Sequence, residues 1–96
     1  ADGRPVANRV EPGKRPRSAM SPTIVFDKKG QVKLITGSPG GPRIIAYVLK
    51  TIVGIVDLKL SLQQAIDAPH FLNLNGDTEL EINTSNKTKK ALEALG

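Results

Sequence analysis

The sequence predicts an α+β fold, on three observations taken in chain order. Two strand-like segments joined by a turn come first, a long apolar helix-like segment follows, and a mixture of short helices and strands closes the chain. The predicted order is therefore loop, β-hairpin, long helix, short helix, short strands and helix. A chain of 96 residues holds one small domain with a modest core. We divide it into an extended loop at 1–21 and an α+β body at 22–96.

Residues 1–21 are rich in Pro, Gly and Arg and show no apolar periodicity, which predicts an extended loop. A β-hairpin is predicted next, because residues 23–26 are β-branched and aromatic, residues 31–36 alternate in part, and residues 27–30 between them have turn chemistry. The alternation predicts a shared face within each strand, for Ile24 with Phe26 and for Val32 with Leu34.

A long helix is predicted over residues 42–58, with Pro42 at its first position, where a missing N–H costs no hydrogen bond. Lys50 and Asp57 interrupt the segment, which is also shorter than the roughly 20 apolar residues that span a bilayer, so we exclude a membrane helix. The apolar side chains cover more than one stripe, which predicts burial over much of the circumference: Ile44, Ile45, Val48, Leu49, Ile52, Val53, Ile55 and Val56.

Four short elements complete the predicted body. Ser61 and Gln64 have the spacing of a capping box, which opens a short helix that Pro69 closes. His70 and Phe71 lead into a short strand, a turn follows at 75–77, and residues 79–82 alternate as a half-exposed strand. A last helix covers 85–95 and Gly96 ends it. The inward residues predicted for the two helices are Leu62, Ala65 and Ile66 in the first and Ala91, Leu92 and Leu95 in the second.

The segment at 36–43, Thr-Gly-Ser-Pro-Gly-Gly-Pro-Arg, joins the second strand to the long helix. Its glycines allow backbone conformations that expose N–H groups to an anion, and a helix N-terminus adds partial positive charge. The segment could form an oxyanion hole or a phosphate cradle, or it could be a tight connection that needs glycine. It matches neither the Walker loop nor the dinucleotide pattern G-x-G-x-x-G.

Composition excludes several kinds of site. The chain has no cysteine and a single histidine, so neither a thiolate nor a multi-histidine metal site is expected, and we predict no metal and no cofactor. His70 has no nearby acid or nucleophile in the sequence, which favours a packing or surface role. The net charge is +5, but the basic residues form separate groups at 14–17 and 87–90 instead of one block, and aromatic residues are few. We therefore predict no nucleic-acid partner.

Two motifs in order carry a resemblance to a known family. Residues 12–25, Pro-Gly-Lys-Arg-Pro-Arg-Ser-Ala-Met-Ser-Pro-Thr-Ile-Val, and residues 36–41 before an apolar helix closely resemble the C-terminal part of the gamma-glutamyltranspeptidase small subunit. The likeness runs from about Val10 to the end and includes Ala-Ile-Asp-Ala-Pro at 65–69. That family belongs to the N-terminal-nucleophile hydrolases, so the resemblance implies a fragment of a four-layer αββα sandwich and makes residues 1–96 a partial domain.

The resemblance also implies an activity and its residues. In this family a precursor cuts itself to expose a Thr nucleophile, which attacks the gamma-glutamyl amide of glutathione and passes the acyl group to water, an amino acid or a peptide. Gly40 and Gly41 match the glycines whose amides form the oxyanion hole. Ser18 matches the first of two serines that hold the substrate's α-carboxylate; the second is Ala19 here, whose backbone N–H could still contribute. Pro42 stands where Ser is common, and His70 where Arg is common.

The nucleophile and its Thr-Thr-His neighbourhood lie upstream in the family and are not in this sequence. The resemblance therefore implies a chain that is inactive alone, whose partners are the rest of the small subunit and the large subunit, in the periplasm or outside the cell. We expect the isolated chain to self-associate or to be marginally stable, since its helix and hairpin lose part of their cover. The alternative is a stand-alone, non-catalytic module of the same fold that binds an anion or a protein.

Overall fold

The computed structural model describes residues 3–95, and it has the α+β architecture that the sequence predicts. Residues 3–22 contain no helix or strand. The first two residues of the predicted loop, and Gly96 at the end of the predicted last helix, lie outside the described residues. The elements are β1 (Thr23–Phe26), β2 (Val32–Thr36), α1 (Ile44–Val56), α2 (Leu62–Asp67), β3 (Phe71–Asn73), β4 (Thr78–Leu80) and α3 (Asn86–Glu93).

The predicted first hairpin is confirmed, with β1 antiparallel to β2. Asp27 organises its turn, because one carboxylate oxygen accepts hydrogen bonds from the backbone N–H of Lys29 at 2.8 Å and of Gln31 at 2.9 Å. Gly30 has φ of 76°, in the left-handed region that favours glycine. The local turn chemistry thus fixes where the strands begin and end.

The two faces of this hairpin differ in burial. Leu34 is buried and pairs with the half-buried Val25, whereas Ile24 and Phe26 share an exposed face. Val32, predicted to share the face of Leu34, is more than half exposed. It lies at the turn end of β2, where the ladder shifts register at a β-bulge between Val25 and Phe26.

A 3-10 turn at Gly41–Arg43 precedes α1, so helical structure starts around Pro42 as predicted. The α-helix ends at Val56, two residues before the predicted end, and Lys59 then reverses the chain with a positive φ of 57°. Burial around α1 is narrower than predicted: Ile45 is 57% exposed and Leu49 is 58% exposed. The physical reason is that α2 is the main helix packed along α1 and covers one side of it.

The capping box of α2 is confirmed. Ser61 Oγ accepts from the N–H of Gln64 at 3.2 Å, and Gln64 Oε1 accepts from the N–H of Ser61 at 2.9 Å. The helix ends at Asp67, two residues before Pro69, as the sequence predicts.

The contact between α1 and α2 is made through small residues. Ala65 is 1% exposed, and a Cβ placed on Gly54 would lie 3.2 Å from the Cβ of Ala65. Leu62 and Ile66, predicted to point inward with Ala65, are both more than half exposed. That prediction was wrong for them because both side chains line a cavity beside α1 instead of packing against it.

The second hairpin pairs β3 with β4 in antiparallel register, and Asn75 takes a positive φ of 65° in its turn. The predicted strand over 79–82 ends early, at Leu80. The N–H of Thr84 donates to the carbonyl oxygen of Glu81 at 2.9 Å, and this turn ends the strand and leaves Ile82 exposed.

The last helix, α3, begins as predicted at the N-cap Ser85, whose Oγ accepts from the N–H of Thr88 at 3.1 Å. The prediction that Ala91, Leu92 and Leu95 all point inward was wrong. Leu92 is half-buried, whereas Ala91 and Leu95 are exposed, because α3 packs only weakly against the other helices and strands. Across residues 3–95, no helix combines the length and the apolar content needed to cross a membrane.

Candidate functional site

The glycine turn, residues 37–41, connects β2 to the 3-10 turn before α1. Gly40 has φ of 133° and ψ of 10°, and Gly41 has φ of 56°, so both adopt conformations that other residues rarely take. The N–H of Arg43 donates to the carbonyl oxygen of Gly40 at 3.1 Å and closes the helical turn. The N–H groups of Gly40 and Gly41 make no hydrogen bond to any residue between 3 and 95. Two backbone donors are therefore available to an anion.

The aromatic ring of Tyr47, one turn into α1, packs against Gly40. A Cβ on Gly40 would lie 3.0 Å from Tyr47 Cε2, whereas a Cβ on Gly41 would meet no atom within 4 Å. Glycine is thus needed at position 40 for both space and backbone angle, and at position 41 for backbone angle alone. Sequence reasoning missed Tyr47, since its spacing in the helix carries no signal beyond that of an ordinary helix residue.

Ser18 and Ala19 lie in the irregular segment before β1. Ser18 Oγ accepts a hydrogen bond from the N–H of Met20 at 3.1 Å, and the carbonyl oxygen of Ala19 accepts one from Ser21 Oγ at 3.2 Å. These bonds form local turns that give the segment a defined course. Because Ser18 uses its oxygen as acceptor, its hydroxyl proton stays available for a second partner.

The first hairpin brings the two predicted motifs to one end of the fold. Its antiparallel register pairs Thr23, at the start of β1, with Thr36, at the end of β2. Ser18 precedes Thr23 by five residues and Gly40 follows Thr36 by four, so both leave the hairpin at the same end. Within residues 3–95, no hydrogen bond joins Ser18 or Ala19 to Gly40 or Gly41 directly.

A cavity of about 310 Å³ opens beside the glycine turn. The end of β2 and the turn form one wall, α1 forms the second and α2 with His70 the third. Five of its lining side chains carry a polar group, so a ligand there could form hydrogen bonds as well as apolar contacts. The lining residues are Ile35, Thr36, Gly37, Ser38, Tyr47, Thr51, Leu62, Ile66 and His70.

His70 is partly buried at this cavity and its ring lies 4.0 Å from the ring of Tyr47, centroid to centroid, at an angle of 39°. Its Nδ1 atom is buried without a hydrogen-bond partner. Burial lowers the pKa of His70, the neighbouring Lys50 lowers it further, and Glu81 opposes both. The imidazole is therefore mostly neutral at pH 7 and acts as a packing group, as the sequence favours.

Lys50 lies on α1 near His70, where its ammonium group donates a hydrogen bond to the carbonyl oxygen of Ala68. Burial lowers the pKa of Lys50, and the charges of Glu81 and Asp67 work in the opposite direction. The lysine thereby links α1 to the chain just after α2.

An ion pair engages Arg43, which follows the glycine turn in the chain. Arg43 Nε donates to Glu79 Oε2 at 2.7 Å and Arg43 Nη2 donates to Glu79 Oε1 at 2.8 Å. This two-bond pair lowers the pKa of Glu79 and raises that of Arg43. It is solvent-exposed, so its role is to tie the start of α1 to β4 rather than to supply much stability. This pair was not predictable from the sequence, because Arg43 and Glu79 are 36 residues apart in the chain.

A larger cavity, of about 560 Å³, lies away from the glycine turn, between α1, α2 and β3. Its lining is almost entirely apolar, with Lys50 at its edge, and so offers few groups that could take part in chemistry. The described residues also hold no cluster of three side chains able to bind a metal ion. The glycine turn with its two available N–H groups is the candidate site.

Comparison with known proteins gives consistent matches. A family described as Gamma-glutamyltranspeptidase matches residues 2–96. The chain is 48% identical over 92 residues to the glutathione hydrolase proenzyme of Escherichia coli strain K12, an alignment that covers 94% of this chain and 16% of that protein. The chain thus spans about a sixth of the length of that relative.

Two crystal structures resemble the described fold. The gamma-glutamyltranspeptidase T380A mutant of Helicobacter pylori has a TM-score of 0.80 and 37% identity, over 91% of this chain and 48% of the matched one. An acivicin-inhibited gamma-glutamyltranspeptidase has a TM-score of 0.81 and 39% identity, over 94% of this chain and 49% of the matched one.

Proposed function

Because the chain belongs to the gamma-glutamyltranspeptidase family, we propose that it forms part of an enzyme that cleaves the gamma-glutamyl amide of glutathione and related compounds. In this reaction an acyl-enzyme forms and the gamma-glutamyl group passes to water, an amino acid or a peptide. The observation that carries the proposal is the pair of unpartnered N–H groups at Gly40 and Gly41, in a turn that only glycine readily forms.

Attack on an amide carbonyl moves negative charge onto its oxygen, and fixed N–H donors stabilise that charge more strongly than they stabilise the neutral substrate. We assign this role to Gly40 and Gly41. Removing one such donor from an acyl-transfer enzyme raises the barrier by about 3 kcal/mol. Arg43, the cation closest in sequence, is engaged by Glu79, so we assign the oxyanion to the two N–H groups and not to this side chain.

Ser18 is proposed to hold the substrate's α-carboxylate through its hydroxyl proton, which its bond from Met20 leaves available. At the neighbouring position Ala19 offers only its backbone N–H, so the proposed α-carboxylate site has one side-chain donor from this segment instead of two. The hairpin register supports a shared role, since it directs Ser18 and Gly40 to the same end of the fold.

The nucleophile is proposed to come from a part of the enzyme outside these 96 residues, and the chain is inactive without it. Its partners are then the rest of the small subunit and the large subunit, in a periplasmic or extracellular enzyme. Exposed apolar side chains on the first hairpin and on α1 support such partners, because a packed neighbour would bury them. They are Ile24, Phe26, Ile35, Ile45 and Leu49. In isolation the same surfaces favour self-association, which sedimentation velocity would detect.

A chimera tests the proposal. The chain replaces the 92 matching residues of the E. coli glutathione hydrolase, and hydrolysis of a gamma-glutamyl anilide is followed with the parent enzyme as control. We expect activity within about tenfold of the parent. Misplacement of one positioning group by about 1 Å can lower the rate about a hundredfold, so activity in this range would mean that the segment places its groups correctly. A soluble, folded chimera without activity would contradict the proposed function.

A further inference from the structure

We propose that Tyr47 and His70 are positioning residues that hold Gly40 in the conformation needed for oxyanion binding. This inference rests on the proposed function, because it assigns a purpose to the Gly40 N–H. Neither side chain is expected to touch the reacting atoms. Their effect reaches the substrate through the peptide groups of the glycine turn.

Tyr47 restricts Gly40 by direct contact. Glycine has the most conformational freedom of any residue, so two in succession form a poorly defined donor pair unless something restricts them. The Cε2 atom of the Tyr47 ring lies only 3.0 Å from the position that a Cβ on Gly40 would occupy. It therefore blocks one side of the Gly40 backbone, while Gly41 has open space around it. The restriction acts on one of the two donors.

His70 in turn packs against the ring of Tyr47. The two ring centroids are 4.0 Å apart, so His70 restricts the movement of the tyrosine ring. The backbone of His70 is itself fixed, because its N–H donates to Glu81 Oε2 at 2.9 Å and its carbonyl oxygen accepts from the N–H of Glu81 at 3.0 Å. A continuous series of contacts thus runs from Glu81 through His70 and Tyr47 to Gly40.

The buried Nδ1 of His70 supports a steric role. It has no hydrogen-bond partner among the described residues, so no hydrogen bond at this atom orients the ring. Ring packing orients it instead. Substitution by another aromatic residue should therefore preserve the function of position 70, while an aliphatic residue should not.

Kinetics of the E. coli chimera test the inference through matched variants. We expect Tyr47→Leu to lower kcat about tenfold with KM within twofold, because misplacement of an oxyanion donor weakens transition-state binding and leaves ground-state binding intact. Tyr47→Phe keeps the ring and should keep kcat. His70→Leu should lower kcat about threefold, and His70→Phe should restore it. Equal kcat in Tyr47→Leu and Tyr47→Phe overturns the inference.

A second readout does not depend on activity. In NMR spectra of the E. coli chimera isotopically labelled at glycine, the Gly40 amide and Hα signals should carry a ring-current shift that Tyr47→Leu removes and Tyr47→Phe retains. Gly30, at the opposite end of the first hairpin, is the internal control. If Tyr47→Leu fails to fold, the comparison of His70→Leu with His70→Phe takes its place. An inactive chimera with the expected Gly40 shifts would refute the proposed function and leave the positioning contact standing. Gly40 signals that shift in neither Tyr47→Leu nor Tyr47→Phe would refute the contact itself.

Discussion

Gly40→Ala is the substitution that probes the glycine turn most sharply. The new Cβ would lie 3.0 Å from Tyr47 Cε2 and 3.7 Å from the Cβ of Arg43. Carbon atoms attract each other best at about 3.5–4.0 Å, so the contact with Tyr47 is repulsive. Alanine also disfavours the φ of 133° found at this position. The turn must move to relieve both, and the Gly40 and Gly41 N–H groups move with it.

The expected loss follows from these two effects. A non-glycine residue in a sparsely populated backbone region costs about 1–3 kcal/mol, and loss of one oxyanion donor costs about 3 kcal/mol of barrier, a factor of about 10²–10³ in kcat. We therefore expect Gly40→Ala to lower kcat about a hundredfold in the E. coli chimera. KM should change little, because the oxyanion exists only in the transition state and the intermediate.

Two neighbouring glycines provide the controls for this prediction. A Cβ at Gly37 meets no atom within 4 Å and its φ is not positive, so Gly37→Ala should keep kcat within about twofold. Gly41→Ala also has open space but retains a φ of 56°, which costs alanine about 1–2 kcal/mol, so its effect on kcat should be intermediate. The assay is anilide hydrolysis, with melting temperature measured in parallel. A Gly40→Ala enzyme with normal kcat refutes the assignment of the oxyanion hole.

Three other predictions concern stability and substrate binding. Because burial lowers the pKa of His70, the unfolded chain binds its proton first as pH falls. The contribution of the neutral His70 to the free energy of unfolding is therefore complete above about pH 6.5 and decreases below it. Urea unfolding at pH 7.5 and 5.5 measures this decrease, and the difference in free energy of unfolding between the two pH values should be smaller in His70→Phe than in the parent. Gly54→Leu should lower the free energy of unfolding by about 1–3 kcal/mol, because the larger side chain forces Ala65 away. Gly54→Ala should be nearly neutral, because a gain of about 1 kcal/mol in helix propensity offsets the tight 3.2 Å contact with Ala65. Thermal unfolding distinguishes the two variants. In the chimera, Ser18→Ala should raise KM about tenfold and Ala19→Ser should lower it, and unchanged KM in both would remove the carboxylate site.

The sequence predicted best what depends on neighbouring residues. Asp27 and Gly30 define the first hairpin turn, and Ser61 and Gln64 cap α2, because each feature needs only a few adjacent residues with the right side-chain chemistry. The start of helical structure around Pro42 was predictable for the same reason.

Burial was predicted less well, because an apolar pattern does not show what covers it. Ile45 and Leu49 fit a buried helix by periodicity, yet α2 covers the other side of α1. Leu62 and Ile66 are exposed because they line a cavity beside α1, while Ala65 makes the close contact with Gly54. Such outcomes depend on the partner's shape, which the local pattern does not contain.

In the candidate site too, the features that depend on neighbouring residues were predictable and those that depend on packing between elements were not. Gly40 and Gly41 were identified from a short motif and its resemblance to a family, and their backbone angles agree with a need for glycine. The packing of Tyr47 on Gly40 and the ion pair between Arg43 and Glu79 were not predictable, since they depend on how α1 meets the glycine turn and β4.

The most direct test of the central claim is hydrolysis of a gamma-glutamyl anilide by two separate pieces, this 96-residue chain and an E. coli glutathione hydrolase that lacks the matching residues. Each piece is assayed alone, and then both are assayed after refolding together. We predict activity in the mixture only, and its loss when the chain carries Gly40→Ala. Product formed by the chain alone, or no product from pieces that co-elute as a complex, would contradict the claim that this chain completes a gamma-glutamyl transfer site.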